Sequence, residues 1–325
     1  MFFYRPEPGE QSFAVPVAGN STVVRFLAVG DINLGRLAGQ KILGGDTLFP
    51  FENIATTLKE YDLVFGNLES QLSNQDGETQ HPDNNYIFTG PPAGAVSLHR
   101  AGFHVVSTAN NHALDYGYAG LSETIRYLRA NWVESVGTSE HMDSLYRPLL
   151  MVRKNIRFAF FACTEIMNTA DRSWSKVVCK ADTTLLLPEI RFWKDSVDVV
   201  IVSFHGGTEY GEEASPGTLW FANCVLVAGA HVFLGHHPHV SYGIIEDHGR
   251  LIVPSLGNFV FLQPQRYWAQ RSFALEIEFE KTGENIVLTK YRPLPIRCGL
   301  QPEFLPQGEE AMMIAQRIQS FSRVM

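Results

Sequence analysis

Residues 231–239 read His231-Val232-Phe233-Leu234-Gly235-His236-His237-Pro238-His239, an apolar run followed by three histidines within residues 235–239. The apolar part predicts a buried strand, and the histidines predict ligands at the edge of a sheet. His237 and His239 lie two residues apart, so both rings would leave the same face of an extended backbone. Pro238 restricts its own φ and the residue before it, which would stiffen the pair. The stretch favours a metal site over its alternative, a surface turn rich in histidine.

The composition is that of a globular chain. The 325 residues carry 45% hydrophobic and 18% charged side chains, with a formal net charge of −8. The negative charge argues against nucleic acid as a partner, and no apolar run reaches the roughly 18 residues of a transmembrane helix. The N-terminus lacks the basic and apolar regions of a secretory signal and reads Met1-Phe2-Phe3-Tyr4-Arg5-Pro6-Glu7. We therefore predict a cytoplasmic protein.

Strand-like and helix-like segments alternate along most of the chain, which predicts an α/β arrangement. The run 197–204 is the most strongly β-branched and ends at His205. Beyond Tyr242 the pattern changes to antiparallel hairpins, and a last helix is expected over 309–321. Because we find no internal repeat and no linker, we predict a single domain over residues 1–325.

Potential metal ligands follow each of five predicted strands. They are Asp31 after the first strand, Asn67 and Glu69 after the second, Asn110, Asn111 and His112 after the third, His205 after the fourth, and His237 and His239 after the fifth. In α/β folds, sites assemble where the carboxyl ends of strands converge. Oxygen and nitrogen donors without a thiolate disfavour a closed structural zinc site. Two carboxylates and several imidazoles exceed the needs of one ion, which favours a two-metal centre.

Six segments resemble, in order, the signature blocks of the CapA family of bacterial capsule and poly-γ-glutamate synthesis proteins. They are Gly30-Asp31-Ile32-Asn33-Leu34-Gly35-Arg36, Asn67-Leu68-Glu69-Ser70, Ala109-Asn110-Asn111-His112-Ala113-Leu114-Asp115-Tyr116-Gly117, His205-Gly206-Gly207-Thr208-Glu209-Tyr210, Gly235-His236-His237-Pro238-His239-Val240 and Ser255-Leu256-Gly257-Asn258-Phe259. The resemblance covers a core over 24–262, and the hairpins and helix of 263–325 look similar to the family's C-terminal end. The family belongs to the calcineurin-like metallophosphoesterase superfamily. The resemblance thus implies a four-layer α/β/β/α sandwich of two mixed sheets with a dinuclear centre.

The resemblance also implies roles for individual residues. One metal would be bound by Asp31 and His239, the second by Asn111, His205 and His237, and Glu69 would occupy the place of a bridging carboxylate. His112 matches a histidine that faces the substrate without binding metal, and Asp115 is the expected partner that orients its imidazole. His236 is expected either to bind metal or to donate a hydrogen bond to a ligand, and Asn258 is expected to satisfy loop backbone.

Two positions depart from the wider pattern. Asn33 stands where the superfamily, though not the CapA family, has a histidine, so the metal bound by Asp31 is expected to bind less tightly, and whether both metal positions fill is left open. Gly206 stands where the family usually has tryptophan, so a bulky pocket wall is expected to be missing. His104 and His231, at turns before two strands, are expected to be solvated turn residues.

The predicted chemistry is hydrolysis of a phosphoester, or of an amide or ester bearing carboxylates, by a metal-bound hydroxide. Two ions about 3.5–4 Å apart can generate such a hydroxide and hold both oxygens of an in-line displacement. Arg36 is expected to bind a phosphate or carboxylate, with a surface ion pair as the alternative. Glu209 and Tyr210 are candidate substrate-binding residues that could instead orient His205 or simply pack.

The ligand types suit Mn²⁺, Fe²⁺ or Zn²⁺, and two ions are expected to bind. The expected substrate is a small molecule or an anionic polymer. A rival hypothesis is a non-catalytic, metal-binding component of a polymer synthesis or export assembly. The sequence does not determine the oligomeric state.

Overall fold

The structure is a computed structural model that describes residues 21–325. The N-terminal stretch that we assessed for a secretory signal lies outside these residues. Within them, no helix has the length and apolar character needed to cross a membrane.

The helices, in chain order, are α1 (Arg36–Leu43), α2 (Ala55–Leu58), α3 (Gly94–Ala101), α4 (Gly117–Ala130), α5 (Met142–Leu145), α6 (Thr183–Trp193), α7 (Pro216–Ala228) and α8 (Glu309–Phe321). The strands are β1 (Thr22–Ile32), β2 (Leu63–Leu68), β3 (Gln71–Leu72), β4 (Thr89–Gly90), β5 (Val105–Ser107), β6 (Glu134–Val136), β7 (Leu149–Arg153), β8 (Ile156–Thr164), β9 (Val199–His205), β10 (Val232–His236), β11 (Ile245–Asp247), β12 (Arg250–Val253), β13 (Asn258–Val260), β14 (Arg271–Thr282), β15 (Asn285–Arg297), β16 (Glu303–Phe304) and β17 (Arg323–Val324).

Two mixed sheets form the framework. Sheet 1 has the order β16-β15-β14-β1-β2-β5-β6, with β13 also paired to β1, and sheet 2 has the order β17-β11-β12-β10-β9-β8-β7. In sheet 1, β1, β2, β5 and β6 are parallel and β14 to β16 are antiparallel. In sheet 2, β8, β9, β10 and β12 are parallel and β7 and β11 are antiparallel. The predicted α/β class with two mixed sheets is confirmed.

The two sheets share a buried core of aromatic and aliphatic side chains. Phe65 of β2 stacks on Phe160 of β8 with ring centroids 6.0 Å apart, and Phe26 of β1 lies 6.3 Å from the same ring. Because successive side chains of a strand alternate, Leu27 and Val29 of β1 face a different cluster, which includes residues of α1, α2 and α3. A third cluster joins the other face of β9 to α6 and α7. The single domain over 1–325 stays a prediction.

His104 and His231 are not solvated turn residues, as was expected, but bond to neighbouring strands. His104 Nδ1 accepts a hydrogen bond from the Val64 amide at 3.2 Å, and His231 Nδ1 accepts one from the Val200 amide at 3.0 Å. Burial lowers the pKa of His104 to about 4 and also lowers the pKa of His231. Each ring therefore acts as a neutral acceptor that completes the amino-terminal edge of one sheet.

Candidate metal centre

The centre lies where the carboxyl ends of the parallel strands meet, and two close backbone approaches shape it. A Cβ atom on Gly30 would lie 1.8 Å from Gly257 O, and one on Gly235 would lie 1.9 Å from Pro254 O. Only glycine allows the neighbouring backbone segments to come this close at these two positions. Each glycine directly precedes a strand end that carries a polar residue of the centre, Asp31 on β1 and His236 on β10.

The structure brings all six predicted ligands together. His205 Nε2 lies 2.7 Å from Asn111 Oδ1 and 3.7 Å from Glu69 Oε1. His239 Nε2 lies 3.9 Å from the same Glu69 oxygen, and its Nδ1 lies 3.4 Å from Asp31 Oδ2. The rings of His205 and His237 are 4.9 Å apart. Glu69 stands at the middle of the cluster, because it belongs both to a group with His205 and His237 and to a group with Asp31 and His239, each spanning no more than 4.8 Å.

The prediction that His237 and His239 sit on extended backbone is wrong. Strand β10 ends at His236, and His237 and His239 have φ values of 93° and 59°. Such values are uncommon outside glycine, and they cluster at functional sites in folded proteins. The two rings still approach each other, with centroids 5.9 Å apart. They do so through a left-handed turn on either side of Pro238 and not through the alternation of a strand.

Asp31 is fully buried and held in its ionised form. Asn67 Nδ2 donates to Asp31 Oδ1 at 2.8 Å, and His236 Nδ1 lies 3.3 Å from the same oxygen. Burial alone would raise the pKa of Asp31, but its contacts with His236 and His239 outweigh burial and hold that pKa well below its usual range. Asn67, a potential ligand in the sequence, donates to this carboxylate, and His236, expected as a donor or ligand, lies beside the same oxygen. Strand register places them there, since Asn67 pairs with Asp31 and His236 pairs with His205.

Glu69 is a buried carboxylate without a hydrogen-bond partner at the middle of the centre. Its side chain is fully buried, and neither carboxylate oxygen has a hydrogen-bond partner among the described residues. Burial, and next the charge of Asp31, raise the pKa of Glu69 well above its usual value. A buried carboxylate without a partner is costly unless a cation neutralises it. His237 Nδ1 is also buried and unpartnered, so the donor set fits a divalent metal with oxygen and nitrogen ligands.

A chain of side-chain amides fixes the tautomer of His239. Asn258 Nδ2 donates to Gln263 Oε1 at 2.9 Å and to the carbonyl of Ala269 at 2.8 Å. Asn258 Oδ1 therefore faces His239 Nδ1 at 2.9 Å, which places the proton on Nδ1 and leaves the Nε2 lone pair towards Glu69. Asn258 orients a side chain of the centre and does not merely satisfy loop backbone. No periodicity in the sequence points to Gln263.

His112 forms the predicted pair with Asp115. The His112 Nδ1 atom lies 2.8 Å from Asp115 Oδ2, and the Phe88 amide donates to the same oxygen at 3.0 Å. The Phe88 ring packs against the imidazole with centroids 4.2 Å apart. The other nitrogen, His112 Nε2, lies 4.0 Å from Glu69 Oε1. The imidazole is thus held from behind by a carboxylate and presents Nε2 to the cluster.

The candidate substrate-binding residues lie at the rim. Arg36 packs over the Phe88 ring at 4.5 Å and donates to the Asn85 carbonyl at 2.6 Å. Among the described residues it has no carboxylate partner, so the surface ion pair offered as its alternative is absent. Glu209 is exposed, and its carboxylate groups with His237 and His239 within 4.8 Å. Tyr210 accepts a hydrogen bond at its hydroxyl from Gln263 at 2.9 Å.

Asn33 and Gly206, the two departures from the wider pattern, both have local explanations. Asn33 Oδ1 accepts from the Gly35 amide at 2.8 Å, so this oxygen caps its own turn. The space beside Gly206 is not open, because a Cβ there would lie 2.5 Å from Glu165 Cγ. Glu165 Oε1 in turn accepts from the Gly207 amide at 2.7 Å. Glu165 and Phe204 therefore lie where a side chain at position 206 would begin.

Comparison with known proteins agrees with this geometry. A family model described as "Bacterial capsule synthesis protein PGA_cap" matches residues 25–263. The PGA biosynthesis protein CapA of Bacillus subtilis is 30% identical over 241 residues, covering 72% of this chain and 62% of that protein. The capsule biosynthesis protein CapA of Bacillus anthracis is 28% identical over 281 residues, covering 83% of this chain and 67% of that protein.

The chain therefore spans about two thirds of the length of these relatives. Among solved structures, the calcineurin-like phosphoesterase YfkN of Bacillus subtilis matches with a TM-score of 0.51 at 13% identity, covering 93% of this chain and 97% of that one. This likeness supports the fold alone. From the matched family model and the identity to its relatives, the chain belongs to the bacterial capsule synthesis protein family.

Proposed function

We propose that the protein is a metal-dependent hydrolase that acts on a phosphoester or on an amide or ester bearing carboxylates. One observation carries the proposal. The buried cluster around Glu69 is accompanied by His112, whose Nε2 lies 4.0 Å from Glu69 and whose Nδ1 is paired with Asp115. A site that only bound metal would have no use for an oriented imidazole that faces the cluster beside its ligands.

The ligands would come from both sheets. Asp31, Glu69, Asn111, His205, His237 and His239 would hold one or two ions of Mn²⁺, Fe²⁺ or Zn²⁺. When bound, such ions supply a Lewis acid and lower the pKa of a coordinated water. Burial holds the pKa of His205 well below its ordinary value and lowers the pKa of His237 to about 4, so both rings are neutral, as ligands must be.

The remaining residues act on the substrate. Asp115 accepts from His112 Nδ1–H, so Nε2 is the nitrogen that can pass a proton to the leaving group. Arg36 supplies a guanidinium that can bind an anionic part of the substrate. Glu209 and Tyr210 would form the rim on the side of His239. There the Glu209 carboxylate and the Tyr210 ring would contact the substrate.

The test combines metal analysis with a substrate panel of phosphoesters, γ-glutamyl amides and esters. We expect His112→Ala to lower kcat by about 10²–10⁴-fold while the bound metal stays unchanged. His248→Ala is a matched control, because His248 also pairs with an aspartate, Asp247 at 2.6 Å, but on an exposed hairpin. Full metal occupancy with no turnover on the panel would contradict the proposal and favour the non-catalytic binding component.

A further inference from the structure

We infer that a cavity beside Arg36 binds a carboxylate or phosphate group of the substrate, carried on a short aliphatic stem, away from the bond that is cut. The inference rests on the proposed function and adds a second, separate contact point. It restricts the substrate to molecules with two features, a hydrolysable group and a distal anion.

The cavity has a volume of about 170 Å³ and a mixed lining. Arg36 is the one charged residue among the lining residues, and Asn33 and Gln80 are the polar uncharged ones. Apolar walls come from Val260, Leu262 and Leu300, among others. The volume corresponds to roughly five or six water molecules, which suits one compact group and not a length of polymer. A single cation above apolar walls is the chemistry of a site for an anion on an aliphatic stem.

Among the described residues, Arg36 has no carboxylate counter-ion, unlike Arg157 and Arg292. Arg157 and Arg292 lie 2.9 Å and 3.0 Å from carboxylate oxygens of Asp198 and Glu276. Among the described residues, the Arg36 guanidinium instead donates only to the Asn85 carbonyl, and its Nε is buried without a partner. Burial lowers the pKa of Arg36, the expected effect when a cation is partly removed from water. A bound anion would supply the missing charge.

The position of Arg36 links the cavity to the catalytic imidazole. Phe88 contacts both residues, with its ring 4.5 Å from the Arg36 guanidinium and 4.2 Å from the His112 ring. The Arg36 backbone is held by its amide donating to Thr79 O at 2.9 Å and has φ 50°. The guanidinium is therefore fixed one aromatic ring away from His112. A ligand anchored on Arg36 would reach the cluster through a stem of a few bonds.

The experiment titrates the metal-loaded His112→Ala protein, in which turnover is removed, with glutarate and separately with inorganic phosphate. We expect Arg36→Met and Leu262→Trp, each added to this background, to weaken binding of the preferred anion at least 10-fold. Leu262 is 40% exposed, so the tryptophan fills the cavity without entering the core. Arg126→Met is the matched control, because Arg126 pairs with Glu123 on an exposed helix surface. Preference for glutarate identifies a carboxylate ligand, and preference for phosphate identifies a phosphate ligand.

The two proposals fail differently. Binding that is equal in all variants would place the anions on the metal ions and overturn the cavity proposal, whatever the substrate panel shows. Absence of binding by either anion would overturn it as well. Binding that depends on Arg36, in a protein whose wild-type form turns over nothing on the panel, would leave the cavity standing and reject hydrolysis.

Discussion

The two sheets contribute different chemistry to one centre. Sheet 1 ends in oxygen donors, Asp31, Glu69 and Asn111, whereas sheet 2 ends in imidazoles, His205, His237 and His239. The oxygen half carries the negative charge, and it includes the unpartnered Glu69. The nitrogen half contributes donor atoms without adding charge, since burial keeps the pKa of His205 and His237 low. Neither sheet alone holds all six proposed ligands, so the proposed centre requires that the two sheets are docked.

The largest effect should come from loosening the docking of the sheets. Phe160 is fully buried and stacks on Phe65 of the opposite sheet at an interplanar angle of 6°. We expect Phe160→Ala to lower the free energy of unfolding by about 3–5 kcal/mol and to weaken metal binding, because the halves lose their alignment. Urea unfolding with and without metal measures both. Phe192→Ala, at a side chain that is 70% exposed, should stay within about 0.5 kcal/mol. A Phe160→Ala protein with unchanged metal affinity would show that the halves align without this contact.

This division between the sheets was readable from the sequence because both sheets follow one rule. Each buried parallel strand is an apolar run. A polar residue follows each run at the point where the strand reaches the edge of the sheet. Asp31, Glu69 and His205 could therefore be placed before any coordinates were known. The position after the third strand offered Asn110, Asn111 and His112 together, and the resemblance to the family selected Asn111 as the ligand and gave His112 its role.

What the sequence could not predict depends on contacts between distant segments. The sequence does not predict the left-handed backbone at His237 and His239, because neither position is a glycine and none follows Gly235 in this stretch. The link from His239 through Asn258 to Gln263 joins residues whose proximity is decided by the pairing of β13 with β1. The place of Glu165 beside Gly206 likewise depends on the pairing of β8 with β9, which sets Thr164 opposite His205.

A smaller effect should separate the oxygen half from the nitrogen half. We expect Glu69→Gln to weaken metal binding at least about 100-fold, a loss of roughly 2.7 kcal/mol, because even residues behind the ligands typically cost 10–100-fold. The same change should raise the free energy of unfolding of the metal-free protein, since a buried unpartnered carboxylate is removed. His205→Gln should weaken metal binding without that gain. Chelator competition and urea unfolding measure the two quantities.

The control for this pair is Glu278→Gln, which changes an acid that pairs with Lys290 on a partly exposed strand. It should leave metal affinity and stability near their wild-type values. A metal-free Glu69→Gln protein that is less stable than wild type would mean that Glu69 has a stabilising partner, and the contrast between the two halves would then be lost.

The smallest effect concerns the opposite ends of the strands, where each sheet has a histidine that accepts a backbone hydrogen bond. His104 and His231 each accept an amide hydrogen bond as neutral rings, and the pKa of His104 is about 4, below the ordinary value of about 6.5. Stability from such a ring is complete above pH 6.5 and is lost as pH falls towards 4, because the unfolded chain binds the proton first. We expect each histidine to contribute about 1 kcal/mol to the free energy of unfolding. This value is reduced because the rings are partly exposed.

Replacing both rings by asparagine keeps an acceptor that does not titrate. The His104→Asn, His231→Asn protein should therefore lose less stability than wild type between pH 6.5 and 4, by about 2 kcal/mol, when urea unfolding is measured across that range. His99→Asn, at an exposed ring that stacks on Trp132, should follow the wild-type curve. Parallel curves for the double variant and wild type would show that these edges do not sense pH. In that case the pH dependence of stability would arise at the opposite end of the sheets, where the oxygen and nitrogen donors meet.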